Sequence, residues 1–513
     1  MQYREGSSPV NAVGGKRCAL RRLGVAVALA LGTAAAVPGV WAQQLTGELV
    51  DSARSTVFEG AIVRLQELDI STRTDERGRF RLTNIPPGSY TQVISYVGAP
   101  ETRMPVTVTA SGLELGEIAL GAGETAEWLQ LEEVLVHGQS AAMAGAINQQ
   151  RAADTVKSIL DSDTMGQFPD QNVAESLRRL SGVTVENDQG EGRYVVIRGM
   201  DPDLNATSIN GVRASSAEDR RALQLDVIPT DVLDGLEVQK SLTPDMDGDA
   251  IGGSVNVKTL SAFSRKEMFL KTRFEGGYNE LREDWSPKAS VAFSNIFELP
   301  GERRLGIAAA LSFQDRKLAA DNFEADDWEQ ADNGADYPET FEPRYYLVDR
   351  QRIGAVLNLD YDLSATTTVF MRSLYSEFED TEARYNQTYG DLTPLADESV
   401  VSGVADFGFA EIAMGTKDRV QTAENLSISV GSDSVWERWS LSSNFGFSYG
   451  EEREKSSVES TWVAEFETGA DGIADGSPVM TLDSSNSSRL LVASDHFDLL
   501  RDPSRYELDE IVF

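Results

Sequence analysis

Leu305-Gly306-Ile307-Ala308-Ala309-Ala310-Leu311-Ser312-Phe313-Gln314 carries two different faces on one extended chain. Leu305, Ile307, Ala309, Leu311 and Phe313 share one side, and Gly306, Ala308, Ala310, Ser312 and Gln314 share the other. The same alternation returns in Ile353, Ala355, Leu357, Leu359 and Tyr361, and again in Trp439, Leu441, Phe445, Phe447 and Tyr449. Each run has about the ten residues a strand needs to cross hydrocarbon, apolar toward lipid and small or polar inward. The connections alternate as well. Glu298 to Arg303 and Asp362 to Ala365 are short, whereas Arg316 to Arg344, Glu379 to Arg419 and Gly450 to about Ser488 are long, polar and mostly acidic. Short turns on one side and long loops on the other predict an antiparallel transmembrane β-barrel over residues 261–513; a soluble sandwich has less reason for this rhythm.

Roughly eight to ten strands fit after Ser261, while plugged outer-membrane barrels close with about 22. The last run, Glu507 to Phe513, is strand-like and lacks a terminal aromatic closing strand. The expectation is the first part of a barrel, in a fragment of a longer reading frame, because an open edge in lipid leaves main-chain groups unpaired.

At the other end, Lys16, Arg17, Arg21 and Arg22 precede an apolar run from Leu23 to Val37, and Val40-Trp41-Ala42 offers small residues at cleavage spacing. This is a secretory signal peptide over residues 1–42, too short for a spanning helix. Its only cysteine, Cys18, lies before the apolar run, so neither lipid attachment nor a disulfide framework follows. The leader carries a charge of +4, which takes the chain from −36 to −40 on cleavage. So acidic a chain has no basic surface for phosphate, and nucleic acid is excluded as a partner. No later stretch reaches the roughly 18 apolar residues of a membrane helix. An exported chain of this kind is either a soluble protein or an outer-membrane β-barrel.

Between leader and barrel lie two smaller units. Over residues 43–122, short β runs such as Ala61-Ile62-Val63-Arg64-Leu65 and Gly78-Arg79-Phe80-Arg81-Leu82 alternate with turn signals such as Asp75-Glu76-Arg77-Gly78 and Pro86-Pro87-Gly88. They predict an antiparallel β-sandwich. Residues 151–260 mix a helical stripe, Val173, Leu177 and Leu180 closed by Gly182, with strand-like pieces such as Tyr194-Val195-Val196-Ile197 and Leu236-Glu237-Val238: a small α+β domain. Residues 123–150 form a linker, Ala141 to Gln150 being small, polar and flexible in composition. Within it Leu131-Glu132-Glu133-Val134-Leu135-Val136-His137-Gly138 is a β-prone run that can add to another protein's sheet edge or serve as an ordinary linker strand. The chain is therefore mainly β.

Thr74 to Phe80, followed by Ile85 to Tyr90, resembles the carboxypeptidase-regulatory-like sandwich found ahead of many outer-membrane receptors. A second resemblance is more specific. Ser176-Leu177-Arg178-Arg179-Leu180-Ser181-Gly182-Val183, Val196-Ile197-Arg198-Gly199-Met200, Ile209-Asn210-Gly211-Val212, Leu236-Glu237-Val238 and Ala250-Ile251-Gly252-Gly253-Ser254-Val255 stand in the order of the plug of TonB-dependent outer-membrane receptors. That resemblance implies the outer membrane of a Gram-negative bacterium, TonB of the inner-membrane energising complex and outer-membrane lipid as partners, and energised import of a scarce nutrient. Leu131 to Gly138 looks like the family's TonB box, with His137 where a small hydroxylated residue is commoner. Arg198 looks like part of a charged lock between plug and barrel wall, a device better suited to switching than to stability.

The glycines have structural readings too. Asn210-Gly211 reads as a hairpin turn needing positive φ, and Gly252-Gly253 as a close backbone approach. No catalytic residue, metal site or cofactor is expected. The chain has only two histidines, His137 and His496, too few for a zinc peptidase, and Asp245-Met246-Asp247-Gly248-Asp249 misplaces its glycine for a calcium loop. Phe168 to Gly182 resembles a subgroup in which many members are associated with oligosaccharide uptake. Trp328, Tyr337, Tyr345, Tyr346, Tyr385, Tyr389 and Trp462 are either sugar-stacking or interface-belt residues. The alternatives are a ferric-chelate receptor, whose anionic ligand suits an acidic vestibule poorly, and a surface carbohydrate-binding adhesin. A transcriptional transducer would resemble its relatives in an N-terminal βαβ signalling domain, where this chain has a sandwich.

Overall fold

The structure is a computed structural model. It describes residues 43–51, 57–120, 137–161, 165, 170–244, 246, 248 and 250–513, save positions 302, 402, 437–438, 471 and 486–490. The signal peptide and Leu131 to Val136 lie outside the described residues, as do Phe168, Pro169, Asp245, Asp247 and Asp249.

The first unit has seven strands: β1 (Gln44–Val50), β2 (Ile62–Leu65), β3 (Ile70–Arg73), β4 (Arg79–Thr83), β5 (Gly88–Ser95), β6 (Thr102–Val108) and β7 (Leu113–Ala119). They form two sheets, β4-β1-β7 and β3-β2-β5-β6. Alternation supplies the core between them: Leu45, Leu49, Val63, Leu65, Phe80, Leu82, Ile94 and Val106 are buried, as a sandwich requires. The β1–β7 pairing is parallel, so the sandwich is not wholly antiparallel.

Helix α1 (His137–Ala152) follows. Here the sequence expectation of a flexible connection is overturned. Alanine is the strongest helix former, Arg151 complements the carbonyl end, and Ala144, Asn148 and Ala152, four residues apart, form a buried stripe.

The next unit contains β8 (Lys157–Asp161), α2 (Val173–Leu177), β9 (Val183–Asp188), β10 (Glu191–Ile197), β11 (Asn205–Ile209), β12 (Val212–Arg213), β13 (Leu233–Gln239) and β14 (Gly253–Thr259). Its main sheet runs β12-β11-β14-β13-β8, with β9 and β10 as a hairpin beside it. Asn172 caps α2 by accepting from Glu175 N at 3.0 Å. The helix stops at Leu177 rather than Leu180. The next amides bond three residues back, Arg179 N to Ser176 O and Leu180 N to Leu177 O, and Gly182 at φ +70° turns the chain.

The last unit is one antiparallel sheet in the order β15-β16-β17-β18-β19-β21-β22-β25. Its strands are β15 (Phe269–Asn279), β16 (Asp284–Leu299), β17 (Arg303–Gln330), β18 (Asp336–Ser364), β19 (Thr367–Pro394), β20 (Val400–Val401), β21 (Val404–Trp436), β22 (Trp439–Glu467), β23 (Met480–Asp483), β24 (Leu491–Ala493) and β25 (Glu507–Val512). On β17 the two faces separate as expected: Leu311 is 58% and Phe313 43% exposed, whereas Ala310 and Ser312 are at 2% and 4%. The small-residue face is the one packed on the inner unit, whose core extends to Ala310, Val356 and Leu374 of the sheet.

Most of each long connection is paired strand rather than loop, which corrects the sequence reading. β17 and β18 stay paired from Leu305↔Tyr361 out to Gln330↔Asp336, and five strands run 28 residues or more, well beyond what a bilayer needs. Polar residues alternate along these extensions too, and their ends share a second core of Phe341, Phe407, Phe466, Met480 and Leu482. The short turns stand where predicted, and the sandwich sits against them: Arg77 donates to Asp362 Oδ1 at 3.1 Å and to Thr368 Oγ1 at 2.6 Å.

Candidate functional site: the inner domain against the barrel wall

At the head of β10, Glu191 is 1% exposed. Facing it on β18, Arg350 and Arg352 point the same way because they are two residues apart, and both are buried. Arg350 Nη1 donates to Glu191 Oε2 at 2.8 Å, Arg352 pairs with the same oxygen, and Arg316 of β17 pairs with Oε1. Arg316 and Arg350 stand directly opposite each other across the strands, a repulsive pairing that Glu191 offsets from inside. The cluster extends outward. Arg350 Nε donates to Asp380 Oδ1 at 3.0 Å and its Nη2 to Gln189 Oε1 at 2.7 Å, while Arg419 reaches Asp380 at 3.2 Å and Glu382 at 3.0 Å. Arg352 Nε donates to the Asp226 carbonyl at 2.7 Å, with the Phe378 ring 4.7 Å from its guanidinium. Burial pushes the Asp226 carboxyl up, against the pull of Arg193 and Arg352.

Above this cluster an open cavity of about 510 Å³ lies between the β9–β10 turn and the wall. Asp188, Gln189, Arg193, Tyr194 and Glu218 line it from inside; Tyr346, Glu382, Arg384, Lys417 and Arg419 line it from the sheet. Its charges are already matched. Arg193 meets Asp188 at 2.6 Å and also pairs with Glu218, and Lys417 lies 3.5 Å from Glu459, which Arg384 also contacts. Among the described residues, Nε of Arg193, Arg384 and Arg419 is buried without a hydrogen-bond partner.

The residues singled out in the sequence fall elsewhere. Arg198, at φ +56°, stays within its own domain: Nη2 donates to Gly252 O at 3.0 Å and Nε to the same oxygen at 3.2 Å, and the charged contacts with the wall come instead from Glu191 and from Asp231, which pairs with Lys288 at 2.6 Å. A Cβ on Gly252 would lie 2.1 Å from Asn205 Oδ1, and one on Gly253 2.7 Å from Gln239 O, which is the close approach expected there. Gly199 has φ +74° with open space around it. Asn210 and Gly211 both take positive φ, +50° and +77°, in the β11–β12 turn. Asn210 O accepts from Asn444 of the wall at 3.2 Å, and its side chain bonds Thr259, which Asn358 of the wall also reaches. Glu237 receives two lysines at 2.7 Å, Lys157 and Lys258; burial opposes its charge, but the lysines outweigh burial and hold it below the usual carboxylate range. His137 and Gly138 open helix α1 rather than continuing a β-run.

Residues 149–254, the domain that carries Glu191, match the family model of the TonB-dependent receptor plug domain. This part of the chain is a TonB-dependent receptor plug domain. The sandwich, residues 44–120, matches the carboxypeptidase regulatory-like domain. Among solved structures, a mutant of the ferric enterobactin receptor PfeA from Pseudomonas aeruginosa is 12% identical, over 62% of this chain and 58% of that one, with a TM-score of 0.28. The siderophore receptor PirA from Acinetobacter baumannii is 13% identical over 66% and 60%, TM-score 0.27. The outer membrane transporter YddB from Escherichia coli is 12% identical over 60% of each chain, TM-score 0.25. No curated protein matches. The chain spans about 60% of the length of these solved structures.

Proposed function

We propose that the chain works in active import across an outer membrane, energised by TonB, and that its ligand is a neutral oligosaccharide. The observation that carries this reading is a plug held to the barrel wall by buried ion pairs, Glu191 among three arginines and Asp231 with Lys288, the first directly beneath an open polar cavity. Ligand settles in the cavity, tension on Leu131 to Val136 draws on the plug, the Glu191 contacts part, and the ligand passes inward. The chemistry is non-covalent throughout.

The ligand class rests on charge. Four cations of the cavity, Arg193, Arg384, Lys417 and Arg419, are each already paired with carboxylates, which leaves little for a multiply anionic ferric chelate. A lining of matched charges, amide groups and two tyrosines suits hydroxyl groups on a sugar ring. The test is uptake of labelled oligosaccharides and labelled ferric chelates by cells that carry the receptor, with and without TonB. TonB-dependent sugar uptake is expected. Uptake of the chelate alone would replace the ligand assignment, and TonB-independent entry of either would remove the import mechanism.

A further inference from the structure

Helix α1 lies between the segment that the import reading places under tension and the first strand of the plug, and its seat is the sandwich. Asn148, 2% exposed, faces the Val97 backbone and satisfies it in both directions: Val97 N donates to Asn148 Oδ1 at 2.8 Å and Asn148 Nδ2 donates to Val97 O at 3.1 Å. One turn earlier Ala144 belongs to the sandwich core. One residue later Gln149 Nε2 donates to Glu59 Oε2 at 2.8 Å. Gly60 lets the two backbones meet, since a Cβ there would stand 3.0 Å from Gln149 N.

The sandwich is itself gripped on its other side. Arg77 enters the barrel rim at Asp362 and Thr368, with the Phe263 ring 4.4 Å from its guanidinium, and Lys266, just before β15, meets Glu48 and Glu117 at 2.6 Å each. Beyond α1 the chain passes directly into β8, the edge strand of the plug sheet.

We propose that the sandwich is a rim-mounted clamp on α1, so that tension arriving from the segment before α1 must lift this helix off the sandwich before any of it reaches β8. This rests on the reading that tension enters through Leu131 to Val136. The clamp keeps the plug from being disturbed by casual pulls and sets a first yielding step. Released and drawn out, the 16 residues of α1 lengthen from about 1.5 to about 3.4 Å each, a gain of roughly 30 Å.

The experiment pulls the full chain in outer-membrane vesicles from a peptide handle inserted after Leu131, in a force spectrometer, with neither TonB nor sugar present. Three forms are compared: unaltered, Asn148→Ala, and Glu59→Cys with Gln149→Cys joined by a short reducible crosslinker. The unaltered chain is expected to lengthen by about 30 Å before the plug yields. Asn148→Ala should lower the force of that first step and leave the plug step unchanged. The crosslinked form should show no plug step until a reductant is added. A plug step in the crosslinked form at the unaltered force overturns the clamp, and so does a first step indifferent to Asn148→Ala. Because the pull is mechanical, these outcomes do not depend on TonB engaging the segment, which the import reading requires and this one does not.

Discussion

Glu191 receives Arg316, Arg350 and Arg352 in a place with almost no water, so its value is set by what its loss leaves behind. Removing one partner of a buried charge cluster costs about 3–5 kcal/mol, because the remaining charges stay desolvated. Glu191→Gln is therefore expected to loosen the plug by about that amount, read as faster protease cleavage within residues 151–260 while the barrel stays folded. The glycines give a graded comparison. Gly252→Ala drives a methyl into Asn205 and should cost about 2 kcal/mol or more, whereas Gly199→Ala has room and costs only the positive φ, about 1 kcal/mol. Denaturation midpoints of the two variants check the ranking. The sequence made these glycines and the Asn210-Gly211 turn legible because each sits in a short local pattern. It gave no sign of Glu191, whose partners lie 125 to 161 positions away; the available signal, Arg350 and Arg352 on the inward-facing side of an alternating strand, went unread.

Among the elements, α1 and its sandwich seat carry a titration. Burial pushes Glu59 up to about 7, with Glu76 and Glu237 adding to it and Lys258 and Lys157 opposing. The ordinary value for a solvated glutamate is 4.5, toward which exposure on release from the seat moves it. The seated state thus holds more protons between these two values, so seating is fully favoured below about 4.5 and weakens as pH rises to about 7, by at most about 3 kcal/mol. Hydrogen exchange along α1, corrected for intrinsic rate, should show less protection at pH 8 than at pH 5, and Glu59→Gln should flatten the difference. The strand extensions offer a second check. Cutting the β17–β18 hairpin back by removing residues 324–342 deletes Phe341 from the outer core, and the β21–β22 extensions should become protease-sensitive while membrane insertion persists. These elements were misread in sequence for related reasons. Polar alternation outside the bilayer looks like loop because hydropathy marks only the lipid-facing band, and an alanine-rich, uncharged stretch looks like a flexible linker until a partner surface buries one of its faces.

Across the whole molecule, three units that the sequence separates are joined through their polar seams. The plug meets the wall at Glu191, at Asn210 and at Asp231, which pairs with Lys288 at 2.6 Å; the sandwich meets the rim through Arg77 and Lys266. Order along the chain was legible because each unit has its own period and punctuation. The seams were not, since side chains that meet across units obey no spacing. Under the import proposal, force enters the plug through Leu131 to Val136. The most direct test places single cysteines at each of those positions in a chain whose only native cysteine is Cys18, and measures crosslinking to the TonB C-terminal domain in outer membranes, with and without oligosaccharide. Crosslinks alternating at Val134 and Val136, strengthened by the sugar, are predicted. Absence of crosslinks at all six positions, with the plug folded in its barrel, would contradict the account.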